Sequence, residues 1–128
     1  MTKILGIDYG RSKVGIAIGE GTLSEPLKVI RVESFNDAIQ KVLQVLQVEQ
    51  VDKVVVGISE GEMGEESKKF SQGLSKTVNI PVETFDETLT SKDAQRLSIE
   101  AGVSRKKRHQ MEDAYAASLI LQNYLDSN

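Results

Sequence analysis

Ile4-Leu5-Gly6-Ile7 and Val14-Gly15-Ile16-Ala17-Ile18 are apolar without alternation, the pattern of strands covered on both faces. The short link from Asp8 to Lys13 predicts that the two are joined as a hairpin. Leu27-Lys28-Val29-Ile30-Arg31-Val32, entered by Pro26, predicts a third strand with one wet face. The period then changes. Phe35, Ala38, Ile39, Val42, Leu43 and Leu46 recur at helical spacing, and Ser34 with Asp37 supplies a capping-box start. Val54-Val55-Val56-Gly57-Ile58 is a further buried strand, followed by a glycine-rich acidic loop through Gly61 and Gly64 and a weakly amphipathic helix carrying Phe70 and Leu74. Pro81-Val82-Glu83-Thr84-Phe85 predicts a fifth strand that ends at Asp86-Glu87. Thr90 or Ser91 caps a short helix with Ala94, Leu97 and Ala101 inward and Gly102 at its end. A last helix runs from about Gln110 to Leu125. The order β-β-β-α-β-α-β-α-α, without repeat or linker, predicts one α/β domain over residues 1–128, a mixed sheet with helices packed on its faces.

Composition narrows the chemistry. The 128 residues include no cysteine, which excludes thiolate catalysis and Cys-ligated zinc or iron–sulfur sites. Thr2-Lys3 leads straight into the first strand with no signal-peptide core, and no apolar run approaches the length of a membrane span, so a cytoplasmic location and no membrane partner are expected. Sixteen Lys and Arg against 19 Asp and Glu leave a formal net charge of −3. Overall charge therefore gives no footing for a polyanion, and any such partner must meet a local patch.

Carboxylates stand at three places where apolar residues would be expected. Asp8 closes the first strand, Asp86 and Glu87 close the fifth, and Asp113 shares a helical face with Ala116, Ala117, Ile120 and Tyr124. A carboxylate on that face is costly to desolvate unless a cation or hydrogen-bond donors meet it, and a Lys or Arg partner serves as well as a metal. If the first strand is central and the last helix crosses it, these acids converge on one pocket. Gathered carboxylates repel one another unless a divalent cation lies between them, and hard oxygen ligands suit Mg²⁺ or Mn²⁺. The corresponding chemistry is hydrolysis of a phosphodiester. Arg105, Lys106, Lys107 and Arg108 crowd before a helix N-terminus, where the macrodipole disfavours cations, and phosphate contact explains them as well as a solvated loop does. Arg11 and Lys13 in the hairpin link are positioned for the same ligand, and His109 is a secondary candidate for phosphate contact or proton transfer.

Asp8-Tyr9-Gly10, the run from Lys13 to Ile18, Asp86-Glu87 followed by Leu89-Thr90, and Asp113-Ala114-Tyr115-Ala116-Ala117 leading into Ile120-Leu121-Gln122 resemble the YqgF/RuvX family of RNase H-like nucleases. The likeness runs nearly end to end. It implies an RNase H-like fold with a five-stranded sheet ordered 3-2-1-4-5, its first three strands antiparallel, and helices on both faces. It also implies metal-dependent phosphodiester hydrolysis, with 5′-end processing of pre-16S rRNA first and Holliday-junction resolution second. The expected partner is structured RNA or branched DNA, and the expected assembly a monomer or homodimer. The acids it matches are Asp8, Glu87 and Asp113. Asp86 ranks below Glu87, because alternation puts the two on opposite faces.

The chain departs from the family's pattern after the fourth strand. There the family has Gly, an apolar residue and Pro, with Asn and Asp-Gly further on; Gly57-Ile58-Ser59-Glu60-Gly61-Glu62-Met63-Gly64 keeps only Gly57 and Gly64, with Glu66 beyond. Thr88 stands where the family carries a base. Two rivals from other classes are a non-catalytic nucleic-acid-binding module on the same scaffold and an actin-like ATPase or sugar kinase. The second needs two domains around its nucleotide, more than this length provides.

Overall fold

The protein is described here by a computed structural model, which covers residues 2–86 and 111–127. Five strands form one sheet: β1 (Lys3–Asp8), β2 (Lys13–Glu20), β3 (Leu23–Arg31), β4 (Lys53–Ile58) and β5 (Val82–Asp86). Their order is β3-β2-β1-β4-β5. β1 pairs antiparallel with β2 and parallel with β4, so it is central, as its unbroken apolar run requires. β2–β3 is antiparallel and β4–β5 parallel. The helices are α1 (Phe35–Glu49), α2 (Gly61–Ser75) and α3 (Glu112–Asp126).

Period-2 alternation divides the core between the two faces. Leu5 and Ile7 of β1, Val14 and Ile16 of β2, and Val54 and Val56 of β4 face α1 and α2, which contribute Ala38, Ile39, Val42, Phe70 and Leu74. Ile4, Ala17 and Val55 point the other way, onto Ala117 and Leu121 of α3. Helices therefore lie on both faces. Among the described residues no helix is long and apolar enough to cross a membrane.

The start of α1 follows the capping pattern. Ser34 accepts a hydrogen bond from the Asp37 amide at 3.0 Å, and the Asp37 carboxylate reaches back to the Glu33 amide at 2.9 Å. That amide bond and the Lys41 ammonium hold the Asp37 carboxyl below its ordinary range. Ser34→Ala removes an acceptor for one of the otherwise unsatisfied amides at the helix N-terminus. It is expected to lower the unfolding free energy by about 1 kcal/mol, read from the urea midpoint at unchanged slope.

Two boundaries differ from the sequence expectation. β3 begins at Leu23, ahead of Pro26, because β3 is an edge strand on which a residue without an amide proton is tolerated. The register also slips at this point: Ile16 faces Lys28 while Ala17 faces Pro26, so Leu27 is bulged. The expected acidic loop through Gly61 and Gly64 is the first turn of α2. A Cβ on Gly64 would stand 1.9 Å from the Ser59 carbonyl oxygen, so glycine there allows the chain to turn from β4 into the helix at once. Glu62 in that turn is placed favourably against the helix dipole. The helix expected between Thr90 and Gly102 lies outside the described residues.

Candidate active site

Asp8 is the last residue of β1, half-buried, and directly opposite Gly15 of β2. Opposed residues in an antiparallel pair project to the same side of the sheet. Alternation from Ile4 puts Asp8 on the α3 side, and Gly15 shows what lies there. A Cβ on Gly15 would be 1.9 Å from the Asp113 carbonyl oxygen and 2.9 Å from the Ala114 amide nitrogen. The first turn of α3 thus rests on bare backbone at the residue facing Asp8. Further along, the Gly6 position would meet Leu121 Cβ at 2.9 Å, so α3 lies close to the strands over several turns. The Asp113 backbone, 105 positions beyond Asp8 in the chain, thus packs against Gly15, the strand partner of Asp8.

Asp113 is half-buried, and this burial pushes its carboxyl above the ordinary aspartate range. The Lys13 ammonium acts against that rise, and the Glu112 charge adds to it. Lys13 stands two residues before Gly15 on the same side of β2, so the cation facing Asp113 comes from the hairpin. One step toward the C-terminus of α3, Ala117 and Ile120 are fully buried, as the helical face through Asp113 predicts.

Of the other acids, Asp86 falls on the opposite side of the sheet. Along β5, Val82 packs into the α1–α2 core while Phe85 makes an edge contact with Tyr124 of α3, so Asp86 leaves the sheet on the side opposite Asp8. Glu87, Arg105, Lys106, Lys107, Arg108 and His109 lie outside the described residues. Among the described residues no three His, Cys, Asp or Glu side chains gather into a set able to hold a metal ion. Asp8 and Asp113 are carboxylates carried on elements that meet at Gly15, and carboxylate oxygen is the donor that Mg²⁺ or Mn²⁺ prefers.

Arg11 points away from both. Its Nε donates to the two Glu66 carboxylate oxygens at 3.0 and 2.9 Å, and its Nη2 donates to Glu66 Oε2 at 2.5 Å. Glu62 follows at 3.8 Å. The guanidinium holds the Glu66 carboxyl below the ordinary glutamate range. Neither Glu66 as the partner of Arg11 nor Gly15 as the seat of α3 follows from the motifs alone. A glycine inside an otherwise apolar strand is nonetheless a signal of close backbone approach, and Gly6, Gly15 and Gly19 all carry it.

Residues 2–127 match the family described as "RuvX: Holliday junction resolvase". A protein of Natranaerobius thermophilus named "Putative pre-16S rRNA nuclease" is 38% identical over 132 residues, 97% of this chain and 94% of the relative. One of the same name from Thermoanaerobacter pseudethanolicus is 36% identical, over 98% of this chain and 96% of its own length. Among solved structures, Thermus thermophilus RuvC in complex with a Holliday junction substrate aligns with a TM-score of 0.68 at 17% identity, covering 100% of this chain and 97% of its own. Fowlpox virus resolvase with Holliday junction DNA aligns at 0.69 and 15% identity, covering 98% of each chain. At such identities the structural likeness establishes a shared RNase H-like fold.

Proposed function

The chain belongs to the RuvX family, and from that premise we propose that it is a metal-dependent nuclease whose task is to process the 5′ end of pre-16S rRNA. The observation that carries the reading is the seating of Asp113 on Gly15, opposite Asp8. Two carboxylates projecting into one half-buried place are costly as bare anions and useful as metal ligands. Asp8 and Asp113 would hold the metal, with Glu87 as the third ligand; Asp86 lies on the other side of the sheet. The chemistry such an ion would supply when bound is positive charge for the reacting phosphate and a more acidic water.

The protein's own groups do the rest. Strand pairing fixes the backbone of Asp8 on one side of the sheet, and the buried turns that follow anchor the first turn of α3, which carries Asp113. The Lys13 ammonium offsets part of the cost of burying the Asp113 charge. Arg105, Lys106, Lys107 and Arg108 provide the local basic patch that net charge does not, with His109 beside them. Nucleic acid is the partner, as structured RNA first.

Junction resolution is the second reading, favoured by the description of the matched family. One experiment addresses both: labelled precursor rRNA and a four-way DNA junction are each incubated with the protein plus Mg²⁺ or Mn²⁺, or with EDTA. Cleavage at the 5′ end of the 16S precursor is expected with either metal and none with EDTA. Cutting of the junction alone favours the second reading, and cutting in EDTA overturns the metal-dependent mechanism. Absence of cutting under every condition leaves a binding module on a nuclease scaffold.

A further inference from the structure

The hairpin link between β1 and β2 carries two cations that leave it in opposite directions. Lys13 goes toward Asp113 and α3. Arg11 goes to α2, where Glu66 Oε1 accepts from Nε and Glu66 Oε2 accepts from Nη2 and Nε. This side-on fork is also how a guanidinium grips the non-bridging oxygens of a phosphate, because the two anions present similarly spaced acceptors. Glu66 therefore takes up the arrangement on Arg11 that a backbone phosphate needs, three residues from Asp8.

The environment decides how firmly it does so. Side-chain exposure is 64% for Arg11 and 31% for Glu66, so water screens the pair, and an exposed ion pair contributes at most about 1 kcal/mol. Such a contact is weak enough for a phosphate to displace and strong enough to reduce affinity. Glu62 at 3.8 Å adds to the negative field that an incoming phosphate meets.

Resting on the nuclease reading, we propose that Glu66 is a built-in competitor for nucleic-acid phosphate at Arg11, lowering backbone affinity and restricting Arg11 to substrates that bring a phosphate against the β1–β2 link. The identity of this residue then tunes how strongly the chain holds nucleic acid without touching the carboxylates at Asp8 and Asp113.

The test is fluorescence anisotropy of a labelled RNA hairpin binding to the full chain in EDTA, which prevents cutting, across a KCl series. Glu66→Gln keeps the side-chain shape and removes the charge. It is expected to tighten binding about two- to fivefold, the equivalent of releasing an exposed ion pair. The slope of log affinity against log salt should steepen by about 0.7 to 0.9, one added phosphate contact. Glu65→Gln makes the same change in net charge on the same helix, beside Lys68, and should leave the slope in place. Adding Arg11→Gln to Glu66→Gln should cancel the gain.

An unchanged slope in Glu66→Gln, a gain matched by Glu65→Gln, or a gain that survives loss of Arg11 would each overturn the proposal while the nuclease reading stands. If neither the parent chain nor Glu66→Gln binds the hairpin or a four-way DNA junction, the nucleic-acid reading falls and this inference with it.

Discussion

Asp113→Asn is expected to reduce metal-dependent cleavage by about 10³-fold or more and to leave the chain at least as stable at neutral pH. The two effects have opposite signs for one reason. Burial raises the Asp113 carboxyl, so the folded protein binds its proton more tightly than the unfolded chain does. Stability associated with that proton is complete below the ordinary aspartate range and is lost as pH rises through the raised value in the folded state. At pH 7 the parent bears the whole cost of a half-buried anion, only partly relieved by Lys13. Asparagine removes the charge and much of the pH dependence, while its amide is a far poorer ligand for a hard divalent ion.

Urea titrations of parent and variant across the acidic range, with and without Mg²⁺, read the stability effect, and the precursor-rRNA assay reads the catalytic one. Added Mg²⁺ should raise the midpoint of the parent and not that of the variant. A variant that unfolds would instead identify Asp113 as a structural partner of Lys13. A variant that still cuts would remove it from the site.

Gly15→Ala is expected to lower the unfolding free energy by about 3 kcal/mol and cleavage by about 100-fold. The added methyl meets the Asp113 carbonyl carbon at 2.3 Å and its oxygen at 1.9 Å, both backbone atoms that no side-chain rotation moves aside. Relief requires α3 to lift off the sheet at the turn that carries Asp113, and a displacement of about 1 Å is enough to spoil a catalytic arrangement. Gly19→Ala is the control. Its methyl would meet Leu121 Cδ2 at 2.9 Å, the far end of a flexible side chain, so its cost should be about 1 kcal/mol with cleavage retained. Equal losses of activity in the two variants would show that overpacking anywhere under α3, and not the seating of Asp113, controls the rate.

Much of this fold was legible because burial is written locally. The unbroken apolar runs at 4–7, 14–18 and 54–58 mark β1, β2 and β4, all inner strands, since a strand covered on both sides cannot alternate. Ser34 and Asp37 mark the start of α1 because a capping bond joins residues three apart. The errors fall where local rules have two outcomes. Glycines and glutamates after β4 suit a loop and equally a helix first turn, and the Ser59 carbonyl packed on Gly64 settles which. Pro26 reads as a strand entrance until the edge position of β3 supplies a place where its missing amide proton costs nothing.

The candidate site divides in the same way. The strand ends, the acids on them and the half-hidden helix carboxylate follow from the order of residues, because each depends on periods of two or 3.6 along one segment. Meeting across space does not. That the Asp113 turn of α3 can descend onto Gly15, the strand partner of Asp8, depends on the absence of one methyl group on a strand 98 positions away. That Arg11 turns to Glu66 while Lys13 turns to Asp113 depends on which helix covers which face. Local pattern decides what each segment must bury; only the packed chain decides which charges then stand next to each other, since contact energies act over a few ångströms and carry no record of distance along the sequence.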